Sequence, residues 1–370
     1  MALDFSLGTS FMKPSALLVA TILSMAAGAT LPQPSPPRPD PAMRQVLDAL
    51  ASLGGRPLET LTPDEARGQP TTADAVRKLL RAAGKGESPA PNVTLEPLQI
   101  DGPLGRIPLY VYTPADAGKD QLLPVLLYFH GGGFVLGGTL AYEASIRALA
   151  VRSGAIVVSV EYHQAPEHKY PAAPNDAYAA YRWVLEHAAE FNGDASRVAV
   201  GGEGAGGTLA AVVAQMARDK RETAPVHQLL IYPILNDDME TASYRAHALA
   251  KPLGKAAMAW YLTHYTAAPN DADQAYAMPA KAATLRRLPP ATIITAAIDP
   301  LASEGRAYAY RLQKDGIAVS FKEYAGVTHD FFGMGAVLPA AREAQEFAGD
   351  RLKRALRPRA VPPSKPAAIR

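Results

Sequence analysis

The segment that most restricts the fold is Gly201-Gly202-Glu203-Gly204-Ala205-Gly206-Gly207. It follows Arg197-Val198-Ala199-Val200 and leads into Thr208-Leu209-Ala210-Ala211-Val212-Val213. A short apolar run, a glycine-dense turn and an alanine-rich run predict a strand, a sharp turn and a helix, a usual setting for a nucleophilic side chain. The central position nevertheless holds Gly204, which has no side chain. The segment is either a site deprived of its nucleophile or a glycine turn serving another chemistry.

The rest of the chain repeats the same alternation. Strands are predicted over Val93 to Ile100, Arg106 to Tyr112, Pro124 to Phe129, Ala155 to Tyr162, Val198 to Gly201, Gln228 to Tyr232, Ala291 to Ala296 and Val319 to Tyr324. Helical runs fall over Tyr142 to Ser153, Asn175 to Phe191, from Gly206 onward and over Gly305 to Asp315. Ala155 to Tyr162 is apolar almost throughout, as a strand buried on both faces requires. Alternation of this length predicts an α/β fold, a mostly parallel sheet wrapped by helices.

Before the first strand, Met43, Val46, Leu47 and Leu50 recur at helical spacing, and Thr62-Pro63-Asp64-Glu65 has the form of a helix start. Two short helices are expected between residues 42 and 90, preceded by a proline-rich linker over 30–41 and followed by the sheet domain over 91–356. The basic, proline-rich stretch 357–370 reads as a loose tail. At the N-terminus, Met12-Lys13-Pro14 leads into the apolar run Ala16 to Leu23 and then Ala27-Gly28-Ala29. This is the form of a signal peptide over 1–29, cleaved near Ala29, and it predicts export to the periplasm or beyond. The run falls short of the ~20 residues needed to span a bilayer, so no stable membrane span is expected.

The bulk numbers exclude several chemistries. A net charge of +2 is too balanced for a nucleic-acid surface. With no cysteine, the chain has no disulfide, no thiolate metal site and no cysteine nucleophile. The eight histidines are scattered; His163 and His168 share a loop without further ligands at metal-binding spacing, so no metal is expected. GGEGAGG lacks the lysine and hydroxyl of a P-loop, and no cofactor is expected.

Two further segments carry chemistry. His130-Gly131-Gly132-Gly133-Phe134 ends a predicted strand, and three bare glycines bring backbone N–H groups close to a ligand, as an oxyanion hole requires. Asp299-Pro300-Leu301 and Gly326-Val327-Thr328-His329 each lie beyond the end of a later strand. The order glycine turn, acid, histidine fits an acid-base relay behind a nucleophile.

Together with Tyr162-His163-Gln164-Ala165-Pro166-Glu167-His168-Lys169-Tyr170-Pro171-Ala172-Ala173, these blocks resemble the hormone-sensitive-lipase-like branch of the α/β hydrolases, the bacterial carboxylesterases. The resemblance spans about Pro41 to Leu356 and implies an α/β-hydrolase fold, with the N-terminal helices as a cap over the site. Where that family has Gly-Asp/Glu-Ser-Ala-Gly, this chain has Gly202, Glu203, Gly204, Ala205 and Gly206, so Gly204 stands in the serine's place. The resemblance further implies Asp299 as triad acid, His329 as general base, and the N–H groups of Gly131, Gly132, Gly133 and Ala205 as oxyanion donors. His130, Glu203, Glu167 and Asp176 receive supporting roles. His163-Gln164 departs from the family's more usual Arg-Leu, a change of loop packing.

Glycine at 204 cannot form an acyl-enzyme. Thr208 lies about one helical turn further on, roughly 6 Å along the axis, and cannot replace the missing hydroxyl. The expectation is an ester hydrolase for short to medium acyl chains that is inactive or very slow. The alternative is a non-catalytic protein that binds a small ester or carboxylic acid on the same frame. Trp260, Tyr261, Phe331 and Phe332 are candidate apolar liners or, equally, core residues, and edge strands near the C-terminus allow a homodimer.

Overall fold

A computed structural model of the chain describes residues 38–86, 92–116 and 121–358. Its strands are β1 (Val93–Gly102), β2 (Gly105–Pro114), β3 (Leu123–Phe129), β4 (Ile156–Val160), β5 (Gly193–Glu203), β6 (Gln228–Ile231), β7 (Ala291–Ile298) and β8 (Val319–Thr328). They form one sheet in the order β1-β2-β4-β3-β5-β6-β7-β8. β2 is antiparallel to both β1 and β4, and all other pairs are parallel. The predicted α/β architecture is thus present. The segment expected to be an export signal, most of the expected linker and the tail from residue 359 lie outside the described residues.

Among the described residues three α-helices, not two, precede the sheet: α1 (Pro41–Ala51), α2 (Pro63–Arg67) and α3 (Thr72–Ala82). α1 begins inside the segment assigned to the linker, because Asp40 caps it by accepting from the Met43 N–H at 2.6 Å and Pro41 presets the first turn. Capping boxes start the other two, Thr62 with Glu65 and Thr71 with Asp74. The second box starts a helix separate from α2, which the expectation of two helices does not include.

The remaining helices are α4 (Glu143–Ser153), α5 (Ala172–His187), α6 (Ala205–Lys220), α7 (Ala242–Ala246), α8 (Lys255–Tyr265), α9 (Ala302–Lys314) and α10 (Pro339–Ala355). β3 shows how the sheet divides the core: Val125, Leu127 and Phe129 point into a cluster with α5, α6 and α9, whereas Leu126 and Tyr128 point into one with α1, α3, α4 and α10. This two-sided burial follows from the period of two along a strand. It fixes the strand ends, and therefore the loops that carry the site. No helix among the described residues is long and apolar enough to cross a membrane.

Candidate active site

The turn between β5 and α6 is one residue long. Gly204 sits there at φ +53°, ψ −117°, a backbone conformation L side chains rarely adopt, and Ala205 begins the helix. The flanking glycines are demanded by close packing. A β-carbon on Gly206 would lie 1.9 Å from the Phe129 carbonyl oxygen, and one on Gly202 would lie 2.4 Å from that same atom. Gly204 differs: its β-carbon would meet nothing nearer than His329 Nε2 at 3.6 Å, His329 Cε1 at 3.9 Å and Gly131 Cα at 4.0 Å. The space a side chain would use is therefore available at 204 and directed at an imidazole nitrogen.

That imidazole is held from behind. Asp299 follows β7 and is fully buried, its Oδ1 accepting from the Leu301 N–H at 2.9 Å and its Oδ2 from His329 Nδ1 at 2.7 Å. A carboxylate partner places the ring proton on Nδ1, which leaves Nε2 as the basic nitrogen facing Gly204. Burial by itself lowers the His329 pKa, but the charge of Asp299, the hydrogen bond to it, and the more distant Asp330 and Glu203 outweigh burial and raise it above the ordinary value.

The glycine loop closes the third side. Gly132 and Gly133 take φ +105° and +61°, and β-carbons on Gly131, Gly132 and Gly133 would strike Tyr142 Oη at 2.4 Å, the Leu136 carbonyl oxygen at 2.0 Å and the Tyr261 ring at 2.1 Å. The Gly132 carbonyl accepts from the Val135 and Leu136 N–H groups, at 3.1 and 2.8 Å, which curls the loop. The N–H groups of Gly132 and Gly133 have no acceptor among the described residues. Ala205, as first residue of α6, has an N–H with no partner earlier in the helix.

Beneath the turn lies a polar network that sequence reasoning missed. The Glu203 carboxylate is buried and accepts from the hydroxyls of Tyr128 and Tyr232. Burial and nearby Asp330 push its pKa up to about 7, against the pull of those hydroxyls. The Tyr232 ring in turn packs on the His329 ring, centroids 4.6 Å apart. Asp330 accepts from the Thr72 hydroxyl of α3 and sits at φ +67°. A cavity of about 550 Å³ opens beside Glu203, Asp330 and Tyr142, with Val76 and Leu80 of α3 among its walls. The tyrosines and Thr72 are distant in sequence from the glycine segments, and only the assembled sheet brings them together.

The supporting residues act at some distance from the imidazole. Glu167 grips Arg67 of α2 through two contacts of 2.7 Å, and Arg67 also donates to the carbonyls of Val135 and Ala165, at 3.1 and 3.0 Å. This fork ties the N-terminal helices to the glycine loop. Asp176 is buried and accepts from the His163 N–H at 2.8 Å and from its Nδ1 at 2.6 Å. His130 donates from Nδ1 to the Gly131 carbonyl at 2.7 Å and stacks on Tyr162 at 4.4 Å. Thr208 spends its hydroxyl on the Ile234 carbonyl at 2.5 Å. Among the suggested liners, Tyr261 lies against Gly133 and Trp260 donates its indole N–H to the Leu61 carbonyl at 2.9 Å. Phe331 and Phe332 are core residues, both fully buried, with Phe331 packed on Tyr232 and Tyr324. No cluster of three or more metal-ligating side chains occurs among the described residues.

A glycine-flanked turn at a strand end, facing an acid-paired histidine across from a glycine loop, is the arrangement of a hydrolase of the α/β class. The family model for the alpha/beta hydrolase fold matches residues 126–333, more than half of the chain. The chain is 39% identical over 312 residues to esterase LipI of Mycobacterium tuberculosis, covering 83% of this chain and 92% of LipI. It is 40% identical over 305 residues to carboxylesterase NlhH of the same species, covering 77% and 91%. Among solved structures, a serine-to-alanine mutant of esterase rPPE complexed with (S)-Ac-CPA superposes with a TM-score of 0.79 at 37% identity, covering 87% of this chain and 99% of that one. The chain belongs to the α/β-hydrolase fold family.

Proposed function

We propose that the chain is a carboxylic ester hydrolase of serine-esterase type, in the hormone-sensitive-lipase-like branch, in a form whose nucleophile position holds Gly204. The observation that carries this is the contrast among the site glycines. At 131, 132, 133, 202 and 206 a β-carbon would collide with its surroundings, whereas at 204 it fits and points at His329 Nε2, 3.6 Å away. In this proposal Asp299 orients His329, His329 is the general base, and the N–H groups of Gly132, Gly133 and Ala205 stabilise the oxyanion. The substrates are esters of short to medium acyl chains, and the apolar run at residues 16–23 supports export.

The test is Gly204→Ser assayed on p-nitrophenyl acetate and butyrate. Strong hydrolysis that disappears on adding His329→Ala supports the assignment. A folded serine variant that stays inert, with His329→Ala changing nothing, defeats it. A second reading, ligand binding without turnover, is supported by the rPPE complex, in which a serine-to-alanine mutant holds (S)-Ac-CPA. Calorimetry of the Gly204 protein against short esters and carboxylic acids separates the two, since a pure binding protein gives heat with the ligand and no activity after serine is introduced.

A further inference from the structure

From the space in front of Gly204 we infer that this chain transfers acyl groups directly to a small exogenous nucleophile, water or a short primary alcohol, with no acyl-enzyme. This rests on the ester-hydrolase reading above. Three observations converge on it. His329 Nε2 has no hydrogen-bond partner among the described residues, while Nδ1 is fixed on Asp299 at 2.7 Å. The nearest atom to a β-carbon on Gly204 is that same Nε2 at 3.6 Å, and no neighbour comes closer. The His329 side chain keeps 15% of its surface exposed, so the base is reachable from outside.

The size of the space sets the class of nucleophile. Methanol is the serine side chain with a hydrogen in place of the bond to Cα. Being unbonded, its carbon must stand at van der Waals contact from Cα, which moves its hydroxyl outward while leaving Nε2 within reach of an ordinary hydrogen bond of roughly 2.8 Å. A single carbon at that position already stands at van der Waals contact, 3.6 Å from His329 Nε2 and 4.0 Å from Gly131 Cα, so a branch directed at either would overlap it. In the step itself, the alcohol oxygen bonds to the ester carbonyl carbon as its proton passes to Nε2. The tetrahedral intermediate then collapses, the bond to the leaving oxygen breaks, and that oxygen receives the proton from Nε2. Ester and methanol become methyl ester and the released alcohol or phenol, with no covalent enzyme species.

The experiment uses the full chain after treatment with a serine-directed fluorophosphonate, which silences contaminating esterases and finds no hydroxyl at residue 204. p-Nitrophenyl butyrate is supplied with rising methanol, and methyl butyrate is measured by gas chromatography. The expected result is resistant methyl butyrate formation on the order of 10²-fold above a His329→Ala variant. It should fall on the order of tenfold in Gly204→Ala, whose methyl group occupies the path to Nε2, and tert-butanol should give no ester. If methyl butyrate forms equally in the parent, Gly204→Ala and His329→Ala, or does not form, while Gly204→Ser hydrolyses the ester strongly, the inference is overturned and the hydrolase assignment stands. If Gly204→Ser is also inert, both fall together.

Discussion

The hydroxyl of Thr72, the first residue of α3, donates to the half-buried carboxylate of Asp330, the residue that follows His329 in the chain. The N-terminal helices are thereby bonded to the histidine loop itself. Burial raises the Asp330 pKa, and the Thr72 hydroxyl, the charge of His329 and the Tyr142 hydroxyl only partly counter it. Tyr142 continues the connection, because its hydroxyl fills the space a side chain would need at Gly131.

Thr72→Val should therefore destabilise the protein by about 1 kcal/mol, the usual net contribution of one hydrogen bond, because the half-buried Asp330 carboxylate keeps the Tyr142 hydroxyl. Thr72→Ser should recover most of the loss. Urea denaturation measures the energy, and hydrogen exchange should show faster exchange concentrated in α3. A loss in the serine variant with none in the valine variant would mean that packing of the methyl group, which valine keeps and serine lacks, and not the bond to Asp330, accounts for the effect.

In the Gly204→Ser background, activity should follow the neutral form of His329. Its pKa lies above the ordinary imidazole value of 6.5, so the rate should rise with pH through a midpoint on the alkaline side of 6.5. The same shift makes a stability contribution that is complete below 6.5 and lost as pH rises through the folded-state value. Asp299→Asn should move the kinetic midpoint down and lower kcat by about 10⁴-fold, because the carboxylate both raises the pKa and fixes the tautomer. A pH-rate profile of each variant is sufficient. An unchanged midpoint in Asp299→Asn would show that the carboxylate is not the group that tunes the base.

Much of this site was legible in the sequence because its parts sit at strand ends. The apolar runs located β3, β5, β7 and β8, and the residues just past them, His130, Gly204, Asp299 and His329, follow from the chain order. The polar layer beneath was not legible. Tyr128 lies within a strand and reads as core, and its hydroxyl matters only because β3 pairs with β5 and aims it at Glu203. Phe331 and Phe332 read in the sequence as either substrate liners or core, and the fold decides for the core, because the chain turns inward after His329 and packs them on the sheet. α10 carries Pro339 at its start and buries Ala341, Ala344, Ala348 and Leu352 at helical spacing, a signal that a search centred on glycine segments does not take up.

Glu203 offers a thermodynamic test of that polar layer. Its folded-state pKa of about 7 exceeds the ordinary 4.5, so the native state holds a proton that the unfolded chain releases between these values. The contribution is present in full below 4.5 and lost as pH rises through 7. Glu203→Gln cannot titrate, and its stability relative to the parent should rise by about 3 kcal/mol between pH 4.5 and pH 8. Paired urea melts across that range measure the difference, and a constant offset at every pH would place the charge of Glu203 in a better solvated environment than its burial implies.

The two kinds of glycine at the turn should lose different amounts of stability to alanine, for different reasons. On Gly206 the new methyl group would overlap the backbone of Phe129 and His130, at 1.9 and 2.6 Å from their carbonyl oxygens, and backbone at a strand end cannot move aside without breaking the pairing of β3 with β5. Gly206→Ala should cost more than about 3 kcal/mol, in the range of severe overpacking. On Gly204 the methyl group meets only ordinary contacts, and the cost is backbone strain at φ +53°, about 1–3 kcal/mol, reduced by roughly 0.5–1 kcal/mol because alanine restricts the unfolded chain. Gly204→Ser carries the same strain, so the serine form should be less stable than the glycine form while having the greater activity. Denaturation of all three variants, with activity measured on the serine form, tests both halves. If Gly204→Ala proved as damaging as Gly206→Ala, the space facing His329 would be too small for any side chain, and the placement of a nucleophile at residue 204 would fail with it.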